Sequence, residues 1–166
     1  MEVGLARQLI DVLNQENEIY NTLSKISNNK TNLIVSGKVI ELESIVKIEQ
    51  TLILKISKLE AEREKIVDKL CSLLGKKPQD ITISGLAEQV GQNESDALKA
   101  CQEKIVNNIK NLKNSNDLNS KLIKSSLEYI DFSINMMTSI DTVNNSYGSS
   151  GHSGETKKRN LFDVKL

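Results

Sequence analysis

Tryptophan is missing from this chain, Phe and Tyr contribute 3 % of its 166 residues, proline and histidine occur once each, and cysteine twice. Without aromatic bulk a thick globular core is hard to fill, whereas 38 % hydrophobic and 27 % charged residues suit long, thin helical packing. No sign of charge prevails, since 22 Lys and Arg balance 22 Asp and Glu. A neutral chain has no net field to recruit nucleic acid or an anionic membrane, so neither is expected as a partner. No window nears the roughly 18 uninterrupted apolar residues of a membrane span, and "MEVGLARQLI" lacks the pattern of a signal peptide. These absences predict a cytoplasmic protein without membrane insertion, of a length suited to one domain.

The residues of common catalytic chemistry are equally sparse. Cys71 and Cys101 have no CxxC or Cys/His spacing and are expected as reduced, packed thiols that could face each other across a hairpin. The single His152 stands in "SYGSSGHSGET", and no Glu-x-x-His pair exists for a di-metal bundle. The glycines of "LGKK" and "GSSGHSG" lack the spacing and strand–helix context that cradle a phosphate. No catalytic residue, metal, cofactor or small-molecule ligand is expected.

What the chain does have is helical periodicity. Leu5, Leu9, Val12, Ile19, Leu23, Ile26 and Leu33 step by three and four, with Glu16 and Lys30 in the two gaps of this heptad seam. The seam predicts a helix over about 2–36, ended by Ser36 and Gly37. It resumes in Val39, Leu42, Val46, Leu52, Ile56, Leu59, Ile66, Leu70 and Leu73, with Glu49 and Arg63 in the gaps, and predicts a helix over about 38–75. Gly75, Lys76, Lys77 and Pro78 stop it, and Thr82 offers an N-cap to a short helix over 83–90. Ile81, Ile83, Leu86 and Val90 give that short helix an apolar side able to plug a bundle end. A third long helix is predicted over about 94–144, carrying Leu98, Cys101, Ile105, Ile109, Leu112, Ile123, Leu127, Ile130, Ile134, Met137 and Ile140. Asn116 and Asn119 interrupt this stripe, either to specify packing register or to offer a hydrogen bond to a partner.

The predicted fold is therefore all-α: an elongated, coiled-coil-like antiparallel bundle of three long helices with a short helix in the second connection. Residues 1–144 form the helical domain. Residues 145–166 form a flexible linker and tail, whose end "KKRNLFDVKL" is either a frayed terminus or a docking element that folds on binding.

Several residues together resemble the FlgN family of flagellar export chaperones. They are Glu49, Leu52, Leu59-Glu60, Arg63, Leu70 and "LLG" at Leu73 to Gly75, then Thr82 and Leu86, "NSNDLNSKLI" with Asn116, Asn119, Leu122 and Ile123, "SSLEYI", and Tyr147-Gly148. The chain departs in placing Gly85 where members often carry a capping acid, and "RNLFDVKL" matches loosely. The resemblance implies a cytoplasmic, non-catalytic chaperone. Members bind the disordered C-terminal segments of hook-associated (hook-filament junction) proteins, keep them unassembled and deliver them to the type III export gate. By position it implies a client surface on Asn116, Asn119, Leu122, Ile123, Leu127, Ile130, Ile134, Met137 and Ile140, with Tyr147, Leu161 and Phe162 as contacts to client or gate. The alternative, motivated by heptad regularity alone, is a self-associating coiled-coil scaffold or adaptor without catalytic activity.

Overall fold

In a computed structural model, residues 2–75 and 82–144 are described. They form α1 (Glu2–Val35), α2 (Val39–Leu74), α3 (Ile83–Ala87) and α4 (Gln92–Asn144). No strand occurs among the described residues, and the fold is the expected all-α bundle of long helices with a short helix in the second connection. The chain divides into two units, Met1–Ser126 and Leu127–Leu166.

In the first unit α1 and α2 form a hairpin whose turn is built by local chemistry. Gly37 adopts φ 66°, the Lys38 N–H bonds to the Leu33 carbonyl at 3.0 Å, and the Gly37 N–H bonds to that of Ile34 at 3.1 Å. This paired closure over a left-handed glycine satisfies carbonyls that a helix end would leave open. The weak helix-forming stretch "SNNKTN" nevertheless stays helical. Ser27, Leu33 and Ile34 are buried around it, so tertiary packing outweighs its poor propensity.

The four polar residues that interrupt the two seams meet each other. Arg63 Nη1 donates to Glu16 Oε2 at 2.8 Å, and Lys30 Nζ donates to both Glu49 carboxylate oxygens at 2.7 Å. Two heptads up α1, from Glu16 to Lys30, thus correspond to two heptads down α2, from Arg63 to Glu49. That correspondence fixes the antiparallel register. The α1–α4 contacts, Arg7 with Glu94 and Thr31 with Asn119, instead rise together in number, so the first and third long helices run parallel.

At the α3 end of this unit Leu9, Val12 and Leu13 of α1, Ile66 and Leu70 of α2, Leu86 of α3, and Leu98 and Cys101 of α4 form one buried cluster. Ile83 and Val90 pack against it, so the short helix plugs the bundle as its apolar side predicts; Ile81 lies outside the described residues. The helix is shorter than expected and stops at Ala87, although Thr82 caps it by accepting from the Gly85 N–H at 3.0 Å. The chain turns at Glu88–Gln89, and α4 begins at Gln92, two residues before its predicted start. A Cβ on Gly85 would stand 3.2 Å from the Thr82 hydroxyl, so the absence of a side chain there leaves room for the cap. Gly75 ends α2 at φ 62°, as the sequence predicts; Lys76, Lys77 and Pro78 lie outside the described residues.

In the second unit the described residues are the C-terminal part of α4, from Leu127 to Asn144.

Candidate functional site

Along the α1–α4 contact of the first unit the chemistry changes from apolar to polar. Leu13, Leu98 and Cys101 lie at the apolar end, where the Cys101 thiol donates to Asn14 Oδ1 at 3.2 Å. Further along, Asn108 Nδ2 donates to Asn17 Oδ1 at 2.5 Å, and Ser27 Oγ donates to Asn116 Oδ1 at 2.8 Å. Thr31 Oγ1 then donates to Asn119 Oδ1 at 2.6 Å, while Asn119 Nδ2 donates to the Ser27 carbonyl at 2.9 Å. Asn119 is 2 % exposed and its amide is satisfied on both sides, so its hydrogen-bonding capacity is used within the bundle. Asn116 is exposed at its surface but gives its carbonyl oxygen to Ser27. Both asparagines therefore hold α4 to α1.

Glu16 is the most confined charge of this unit. It has no exposed surface, Oε1 has no protein partner, and burial raises its carboxyl above the usual range against the opposing pull of Arg63. Glu94 behaves oppositely, since the Arg7 hydrogen bond holds its carboxyl below the usual range. Cys71 and Cys101 are both free and buried, and burial pushes the Cys101 thiol up, away from the thiolate form that reacts. Among the described residues no group of His, Cys, Asp and Glu could hold a metal ion, and no helix is long and apolar enough to cross a membrane. His152 lies outside them.

Of the stripe singled out from the sequence, Leu122 is half-buried and Ile123 is exposed, both within the first unit. In the second unit Leu127 is 57 % exposed, and Ile130, Ile134 and Met137 are exposed with it. The side chain of Ile140, and Tyr147, Leu161 and Phe162 altogether, lie outside the described residues.

The structure adds three residues that the stripe did not include. Tyr129, Phe132 and Met136 are also exposed, with Tyr129 at 71 %. At about 100° per residue they form a second row whose centre lies roughly 150° around the helix from that of Leu127, Ile130, Ile134 and Met137. Together the two rows make more than half of the helix circumference apolar, while Glu128, Asp131, Asn135 and Thr138 share the remaining arc. A seam of one row packs against one neighbour; two rows so widely spaced suit a groove or a wrapping partner. A signal for the second row was present in the composition. The chain has five Phe and Tyr residues, and Tyr129 and Phe132 fall within one helical turn, beside two of its three methionines, Met136 and Met137. Aromatic residues and Met are enriched at protein interfaces, where rigid area and adaptable packing both favour contact.

The chain matches the profile of the family described as FlgN protein across residues 1–155. It is 27 % identical over 161 residues to the uncharacterized protein YvyG of Bacillus subtilis (strain 168), covering 96 % of this chain and 98 % of that relative. No solved structure matches it. With a match over nearly its whole length, the chain belongs to the FlgN family, the family of flagellar export chaperones.

Proposed function

We propose that this protein is a cytoplasmic chaperone for hook-associated proteins. It binds their C-terminal segments, prevents their premature assembly and delivers them to the type III export gate. The observation that carries the reading is the exposed apolar arc of α4 in a chain of this family: Leu127, Tyr129, Ile130, Phe132, Ile134, Met136 and Met137 are all accessible. An amphipathic client segment, assembly-prone when free, is sequestered by laying its apolar face along such an arc. Ordering that segment consumes about 2 to 5 kcal/mol of the gross interaction energy, which keeps binding reversible, as delivery requires. The client surface is assigned to the residues from Leu127 onward, because Asn116 and Asn119 are already engaged with α1.

Calorimetric titration with a peptide from the C-terminus of a hook-filament junction protein tests this. Saturable one-to-one binding is expected, and Leu127→Asp with Ile134→Asp is expected to abolish it while helical circular dichroism is retained. Unchanged binding by that variant would place the client elsewhere. Because the same exposed arc also suits self-association, sedimentation accompanies the titration. A mass that rises with concentration, without peptide binding, would favour the scaffold.

A further inference from the structure

The apolar arc of the second unit has a charge signature. Residues 129–144 contain Asp131 and Asp141 and not one Lys or Arg, in a chain that is neutral overall. Elsewhere in the same unit the sequence supplies the complement. Residues 157–166, "KKRNLFDVKL", combine Lys157, Lys158, Arg159 and Lys165 with the apolar Leu161, Phe162, Val164 and Leu166, against a single Asp163. An acidic helix with an apolar arc and a basic segment with an apolar cluster match in both sign of charge and hydrophobicity.

Distance matches as well. The residues between Asn144 and Leu161, 145–160, include seven Gly and Ser, and a flexible stretch of that length has an r.m.s. span of roughly 20–24 Å. From Asn144 back to Ile130 the helix measures about 21 Å at 1.5 Å per residue. A linker whose r.m.s. length equals the distance to be bridged gives the highest local concentration of the tethered segment, on the order of millimolar.

We propose that residues 157–166 dock on the apolar arc of α4 of their own chain, with Leu161 and Phe162 against the exposed apolar side chains and the basic residues beside Asp131. The docked tail is an intramolecular competitor for the surface that the proposed function assigns to client, and this competition rests on that assignment. A tail held at millimolar local concentration shields the arc when no client is present and yields to a tighter-binding segment. Charge attraction across an exposed surface weakens as salt rises.

The test compares the full chain with the Leu161→Ser, Phe162→Ser double variant by amide NMR. Resonances of residues 127–139 are expected to differ between the two proteins while those of α1 and α2 coincide. Raising salt from about 50 to about 500 mM should move the wild-type resonances toward those of the variant. Coincident spectra over 127–139 would overturn the docking. Differences that fade on dilution would assign the contact to the tail of a second copy and overturn its intramolecular form. With the junction-protein peptide the double variant is expected to bind about two- to ten-fold more tightly, because the tail no longer occupies the arc. Equal affinities would overturn the competition. If neither protein binds the peptide and the spectral differences persist, the client reading and the competition fail, while the docked tail stands.

Discussion

A buried carboxylate with one of its oxygens unpartnered is costly to ionise, and Glu16 has that environment despite Arg63. Its folded carboxyl lies above the ordinary value of 4.5, so the folded chain holds this proton more tightly than the unfolded chain. The resulting stabilisation is complete below the unfolded value and is lost as pH rises through the raised one. Glutamine at this position resembles the protonated acid and does not titrate. The stability of the native protein relative to Glu16→Gln should therefore fall over the pH range above the ordinary carboxylate value of 4.5, measured by urea unfolding of both proteins. The opposite contribution of Glu94, present above the usual carboxylate range and lost on acidification, is common to both and cancels in the difference. A constant difference across that range would mean that Glu16 ionises as an ordinary surface acid.

Among the elements, the helix ends are set by backbone geometry and the helix interiors by packing. Gly37 is the clearest case, because a Cβ built on it meets nothing within 4 Å and yet its φ of 66° lies where L-residues are strained. Gly37→Ala should accordingly cost about 1–2 kcal/mol through conformation alone, read from the urea midpoint. Gly37→Asn should cost less, since asparagine visits the left-handed region more readily. An equal loss from both would point to a steric cause. Within α4, burial and exposure divide its residues by role. Leu98, Cys101, Ser115 and Asn119 face the bundle, whereas Leu127, Ile130, Phe132 and Met137 stand exposed on the same continuous helix.

For the molecule as a whole, the buried core belongs to the first unit and the accessible apolar residues named for client binding to the second. Stability and client binding should therefore separate under mutation. Leu98→Ala removes a fully buried side chain and should cost about 2–5 kcal/mol. Leu127→Asp with Ile134→Asp exchanges side chains already in water and should change stability by only about 0.5 kcal/mol per site. Chemical denaturation of the two variants checks this; a large loss in the second would show that the arc is packed in solution.

The sequence by itself determined the helical class, the two glycine-terminated helix ends and the Thr82 cap, because each follows from periodicity or from the local geometry that one residue type permits. It also marked Glu16, Lys30, Glu49 and Arg63 as breaks in their seams. Which of them pair was decided only in three dimensions, where the shared register of α1 and α2 matches Glu16 to Arg63 and Lys30 to Glu49. The asparagines show the same limit. Their place on the stripe was legible, but whether Asn119 faced a partner or its own bundle depended on Ser27 and Thr31, residues distant in sequence and adjacent in the fold. The second row of Tyr129, Phe132 and Met136 was legible as composition, yet its accessibility was not. A helical face is exposed or buried according to what packs against it, and only the tertiary structure decided that.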